Sequence, residues 1–158
     1  MAKKILDALD NKIIRLLAED GRMPVGEMAS RLRVTAPTVR SRIKALEHAG
    51  KLKISGLIDP YQNQEVTTAL IGLNIQSHGK LDQILEKLAH LDNVVWAAVV
   101  TGRYDVFLEV VVTGGTDELY RLTTDTIPKV GTVVRSETFV IMKSRRKWVP
   151  PPKGLGEI

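Results

Sequence analysis

Apolar residues recur at helical spacing three times within the first fifty positions. Leu6, Leu9, Ile13, Leu16 and Leu17 make the first stripe. Asp7 reads as its cap, and Asp10 sits three residues on, where a carboxylate favours the positive end of a helix. Gly21 stops this helix, and Pro24-Val25-Gly26 opens a short second one with Met28, Ala29 and Leu32 facing inward. After the turn Arg33-Val34-Thr35, the residues Val39, Ile43 and Leu46 form a third, narrower stripe that Gly50 ends. Thr35 reads as the N-cap of this third helix, and Pro37 falls in its first turn, where a missing N–H costs nothing. Lys51–Ile58 then alternates, which predicts a β-ribbon.

The pattern changes after residue 60. Tyr61–Glu65 is polar and reads as a hinge. The stretch 66–76 is apolar and β-rich enough for a strand, and 94–101, 105–112 and 133–143 read as three more. Leu81, Ile84, Leu85, Leu88 and Leu91 mark an amphipathic helix, and 117–127 reads as another. The order is β-α-β-β-α-β, a ferredoxin-like arrangement. A weak repeat supports it: Leu91-Asp92-Asn93-Val94 and Ile127-Pro128-Lys129-Val130 are matching helix-to-strand corners. The chain therefore reads as α+β, with a winged helix-turn-helix over 1–60, a hinge over 61–65, a ferredoxin-like domain over 66–143 and a basic, proline-rich tail over 144–158. That tail reads as a disordered or polyproline end. The competing reading is an extra nucleic-acid contact, or a strap over a neighbouring subunit with Trp148 as anchor.

The third helix changes the picture most. Opposite its stripe lie Pro37, Thr38, Ser41, Lys44, Ala45 and His48, flanked by Arg40 and Arg42. That face has small residues, hydroxyls and positive charge, and no acid. Small residues allow close approach to a surface, and hydroxyls and bases donate to phosphates and base edges. Between Arg31 and Lys53 stand seven Lys or Arg against one acid, Glu47. A generic three-helix bundle has no reason to gather base there; a helix lying in a DNA major groove does.

Charge along the whole chain agrees. The net charge of +5 is divided into +5 over residues 1–60, −4 over 61–142 and +4 over 143–158. A polyanion-binding module joined to a unit with a different task is the implied plan. With 158 residues, 44% hydrophobic, there is room for two small domains. Cysteine is absent, so disulfides, thiolate zinc sites and cysteine nucleophiles are excluded. No apolar run approaches a membrane span and the start has no secretory core, so the expectation is a cytoplasmic protein without a membrane partner.

Leu6-Asp7-x-x-Asp10-x-x-Ile13-Ile14, Asp20-Gly21-Arg22, Glu27-Met28-Ala29, Arg40-x-Arg42-Ile43-x-x-Leu46-Glu47-x-x-Gly50 and Ile58-Asp59-Pro60, taken as an ordered set, resemble the DNA-binding half of the Lrp/AsnC transcription regulators. The resemblance extends over roughly 5–143. It implies a regulator that binds double-stranded DNA, assembles from homodimers into tetramers or octamers, and responds to an amino acid or related molecule held between subunits. Thr35, Pro37, Thr38, Arg40, Ser41, Arg42, Lys44, Lys51 and Lys53 are the expected DNA-binding residues, with Thr38, Ser41 and Lys44 facing bases and Arg40 and Arg42 on phosphates or at the groove edge.

The family also has a Gly-x-Tyr-Asp-like turn that helps form its amino-acid site, and Thr101-Gly102-Arg103-Tyr104-Asp105 is similar to it. The chemistry suits a zwitterion. Asp105 matches an α-ammonium, and the backbone N–H groups near Gly102 and Arg103 match a carboxylate. Thr132, Glu137 and Thr138 would come from the facing subunit. Two departures stand out: the hinge lacks a small Gly-containing step, and Arg103 places a bulky cation at the ligand turn. A β-turn with an aromatic edge is the plainer reading of this stretch.

Nothing in the chain points to catalysis. His48, His78 and His90 are scattered, Glu86 and His90 have helical spacing but no third ligand, and no metal or cofactor is expected. Two alternatives to an effector-responsive regulator remain open at this level. One is an architectural DNA-binding protein of low specificity. The other is an enzyme resembling the tetrapyrrole decarboxylases that share this two-domain plan.

Overall fold

The computed structural model describes residues 6–76, 78–131 and 133–156. The chain divides into two units, Met1–Ser55 and Gly56–Ile158. The boundary thus falls before the polar stretch 61–65 rather than on it, and residues 56–60 belong with the second unit. Tyr61 is part of that unit: its hydroxyl donates to the Ile141 carbonyl at 3.2 Å.

The first unit has three helices: α1 (Ala8–Glu19), α2 (Val25–Leu32) and α3 (Ala36–His48). They form where the stripes lie because only this packing buries Ile13, Met28, Val39 and Leu17 together. The caps are those the sequence indicates. Asp7 accepts from the backbone of Leu9 and Asp10, and Asp10 reaches back to the N–H of Asp7, closing a capping box. Thr35 accepts from the N–H of Thr38 at 3.4 Å. Gly50, at φ +63°, ends α3, with the N–H of Lys51 on the carbonyl of Leu46 at 2.9 Å. The same closure ends α2, but with Arg33 at φ +55° in the left-handed position.

The predicted β-ribbon over Lys51–Ile58 does not form. Alternation shows that a stretch can be a strand, not which neighbour it pairs with, and among the described residues none of the four strands of the second unit pairs with this one. Only Ile58 makes a bridge, and its partner is Val149 of the tail. Among the described residues the unit is a helix-turn-helix without a wing.

The second unit is a four-stranded antiparallel sheet with helices: β1 (Thr67–Ile75), α4 (Leu81–Ala89), β2 (Val94–Val99), β3 (Val106–Val112), α5 (Gly115–Arg121) and β4 (Val133–Val140). Strand order is β2-β3-β1-β4, the order expected of the predicted ferredoxin-like arrangement. Ile71, Leu73, Val106, Leu108 and Val110 face α4 and α5 and are fully buried beside Leu88 and Ile127. Each such side chain contributes about 1.5–3 kcal/mol relative to an exposed one.

The second helix is shorter than predicted. The α-helix stops at Arg121, a π-turn covers Leu122–Thr126 and a 3₁₀ turn follows. The cause is local. The Thr123 and Thr124 hydroxyls donate to the carbonyls of Leu119 and Tyr120 at 2.8–2.9 Å, competing with the helical ladder, and Pro128 then lacks a donor.

Residues 144–156 of the tail are held against the rest of the second unit rather than disordered. Val149 is fully buried and paired with Ile58, Lys147 forms an ion pair with Glu109, and the N–H of Lys153 donates to Asn93 at 3.1 Å. Within the chain Val149 anchors the segment, while Trp148 is 58% exposed.

Candidate nucleic-acid interface and effector turn

On α3 the inward side is closed and the outward side open. Val39 and Leu46 are buried, while Pro37, Arg40, Ser41, Lys44, Ala45 and His48 are exposed. Thr35 is exposed and Thr38 half-buried, and their hydroxyls share a hydrogen bond of 2.8 Å, so the cap holds part of Thr38's polar capacity. Arg40, Lys44 and the exposed Lys53 make no ion pair with a described residue, whereas Lys51 is half-buried and engaged. The free cations therefore point away from the three-helix core, where a phosphate can reach them.

Arg42 is placed differently from its neighbours. Its Nη1 donates to Asp7 and, at 3.1 Å, to Asp10. It clamps α3 to the capping box that starts α1. The N–H of Asp10, and then the Arg42 guanidinium, hold the Asp7 carboxyl below the usual carboxylate range. Asp7 in turn makes Arg42 harder to deprotonate. From the sequence Asp7 and Asp10 read as a cap, and Arg42 as a base on phosphates or at the groove edge. Nothing in the sequence joins them across a separation of more than thirty positions.

In the second unit the turn between β2 and β3 brings together some of the predicted ligand residues and not others. Tyr104 is buried and its hydroxyl donates to Glu137 on β4. That bond raises the Tyr104 phenol above its ordinary value. Arg103 stands 3.4 Å from the same carboxylate and its guanidinium lies 5.6 Å from the Tyr104 ring centre. The ring lies directly over Gly72 of β1. A Cβ there would come within 2.7 Å of it, so glycine is what lets Tyr104 lie on the sheet. Asp105 accepts from the N–H of Ile75 at 2.8 Å, so one oxygen of the expected ammonium partner is already used on the backbone. Thr101 and Gly102 are exposed at the tip, Gly102 at φ +118°.

Thr138 does not join them. It pairs with Ile71 and so faces the helix side of the sheet, where it lines a shallow groove of about 230 Å³ with Tyr120 and Thr123. Strand alternation sends neighbours 137 and 138 to opposite faces. Thr132 lies outside the described residues. Glu86 and His90 are 3.5 Å apart, and among the described residues no cluster of metal-ligating side chains occurs.

Glu109, which the sequence offers only as a carboxylate on the same strand face as Asp105 and too distant to pair with it, has another role. Glu109 of β3 is buried on the helix-free face, accepting from the Trp96 indole at 2.6 Å and paired with Lys147. The signal was a lone acid in the run Val106–Val112, at the in-out position that does not face the helices.

A three-helix head that turns a basic helix face outward, joined to a ferredoxin-like unit with a polar turn on its sheet, defines a two-domain DNA-binding regulator. The comparisons name the class. The AsnC-type helix-turn-helix domain matches residues 6–47, and the Lrp/AsnC ligand binding domain matches 68–148. The chain belongs to the Lrp/AsnC family of transcription regulators. It is 35% identical over 144 residues to an uncharacterised HTH-type transcriptional regulator of Pyrococcus abyssi, covering 90% of this chain and 89% of that one. It is 30% identical over 140 residues to the regulatory protein AsnC of Haemophilus influenzae, covering 88% and 93%. It also superposes on a Neisseria meningitidis transcriptional regulator solved as an L-Met complex, with TM-score 0.68, 22% identity and coverage of 96% and 99%. The relatives are named as regulators, not enzymes, which removes the ground for the decarboxylase alternative. Among the described residues no helix is long and apolar enough to cross a membrane.

Proposed function

We propose that this cytoplasmic chain regulates transcription as a sequence-specific, dimeric or larger assembly that binds DNA through α3 and an amino acid between subunits. The observation that carries the DNA reading is the outward face of α3, acid-free, with Arg40 and Lys44 unpaired among the described residues. Thr38, Ser41 and Lys44 read base edges, Thr35 and Pro37 approach the backbone closely, and Arg40, Lys51 and Lys53 neutralise phosphates. Arg42 acts chiefly by fixing the angle between α3 and α1, because Asp7 and Asp10 already hold its guanidinium.

The helix-free face of the sheet supports assembly. Trp96 and Phe139, which share that face with Leu70 and Glu109, are 41% and 42% exposed. A second copy covering them would give the symmetric dimer that presents two recognition helices to two half-sites. An amino acid fits the turn at Arg103, Tyr104 and Asp105, with Glu137 beside it, and an amino acid is what the Neisseria meningitidis relative holds. An effector acts only by binding one assembly better than another.

Fluorescence anisotropy of a labelled duplex, at 50 and 200 mM salt, tests the first half. Binding that weakens steeply with salt is expected; no binding at low salt overturns it. Thermal-shift screening against the common amino acids tests the second half, since a ligand raises stability according to its concentration over its Kd. No response to any of them removes the effector.

A further inference from the structure

The positive charge of the tail is divided between spent and unspent groups. Lys147 is paired with Glu109, and Lys153 with Asp92 at 2.6 Å. Lys143, Arg145 and Arg146 are exposed and form no ion pair with a described residue, although residues 61–142 carry ten acids against six bases. Three cations within four positions repel one another, and the surrounding acids do not relieve them.

The segment that carries them is tied at both ends. Before it, the N–H of Ile141 donates to Thr68 at 2.9 Å. After it come the Lys147–Glu109 pair and the two bonds between Val149 and Ile58, at 2.9 and 3.0 Å. Arg146 sits at φ +58°, a conformation glycine would adopt without cost, yet the position holds a long cation. A fixed, unneutralised cationic turn is a surface made for a polyanion. From 143 to 146 an extended chain spans at most about 10 Å. One strand of duplex DNA carries roughly three charges over that length.

We infer that Lys143, Arg145 and Arg146 form a second DNA contact, on the sheet unit, which grips the phosphate backbone without reading sequence. It rests on the DNA-binding reading given above and adds to it a contact outside the helix-turn-helix. Its signature is electrostatic: equal loss on every sequence and a smaller salt slope.

The test is duplex binding by the full chain between 50 and 200 mM salt, on a preferred operator and on a random duplex. The variants are K143A/R145A/R146A and, as a control of equal kind, K153A, which removes an exposed cation already paired. Three phosphate contacts at about 0.9 each make the wild-type affinity fall roughly 40-fold more than the triple variant's over that range. The loss should be the same on both duplexes, with the Tm unchanged and K153A behaving as wild type. A slope equal to wild type in the triple variant overturns the second contact while leaving the helix-turn-helix reading intact. Retention on phosphatidylserine vesicles, together with that unchanged slope, gives the turn to a lipid surface instead. A wild-type chain that binds neither duplex overturns both readings.

Discussion

The outward face of α3 and the β2–β3 turn of the sheet treat their charged side chains in opposite ways. On α3, Arg40 and Lys44 project from a packed helix and find no intramolecular partner among the described residues. On the sheet, Tyr104 and Arg103 converge on Glu137, Asp105 caps the Ile75 N–H, and Glu109 is enclosed by Trp96 and Lys147. The first unit is ready for its ligand as a single chain. Around the β2–β3 turn the polar groups are paired with one another, and Trp96 and Phe139 on the same face of the sheet stay exposed. An interface for a polyanion needs only unpaired cations on a rigid support. A site for a zwitterion needs enclosure on several sides.

The largest effect expected comes from breaking the support beneath the ready interface. Ile13→Ala empties a fully buried position in the three-helix core and should cost about 2–5 kcal/mol. Calorimetry should show the first unit melting early and the sheet transition unmoved, with duplex binding lost. A single transition shifted as a whole would mean that the units are not independent.

Gly72→Ala acts on the other side of the comparison. Its Cβ meets the Tyr104 ring, and overpacking of this kind costs about 1–3 kcal/mol. Any amino-acid thermal shift should vanish while the salt slope of duplex binding stays as in wild type. A preserved shift would take Tyr104 out of the effector site. Thr35→Ala, which removes the α3 cap, should lower the stability of the first unit by about 1 kcal/mol and weaken DNA binding on all sequences.

The smallest effect is the acid dependence of the α1–α3 clamp. Asp7 titrates below the usual carboxylate range in the folded chain, so its contribution is full above that range. It fades as the pH falls through the depressed value. Arg42→Gln should flatten this acid limb of the stability curve of the first unit, and an unchanged limb would show that the pair does not couple the two helices.

The helices and strands were legible because each has its own pattern: Val39, Ile43 and Leu46 recur at helical spacing, and β1, β2 and β3 are mainly apolar runs of strand length, while β4 is half polar. Caps were legible because Asp7, Thr35 and Gly50 act within a few residues of themselves. What was lost is long-range or competitive. The ribbon at 51–58 alternates correctly, yet its one bridge among the described residues joins Ile58 to Val149, ninety-one positions away. The fold of the tail depends on Glu109, Ile58 and Asn93, all distant in sequence. The helix after Gly115 gives way to a π-turn where two threonine hydroxyls compete for carbonyls. For the site, the outward face of α3 followed from periodicity alone. The partition of Glu137 and Thr138 to opposite faces required the register of β4.

On this account DNA is met first by the exposed face of α3. Amide chemical-shift mapping of the full, isotopically labelled chain with a duplex tests it most directly. Perturbations concentrated over residues 35–53, with a second, weaker set at 143–146, are the expected result. Perturbations confined to the sheet unit, with α3 silent, would contradict it.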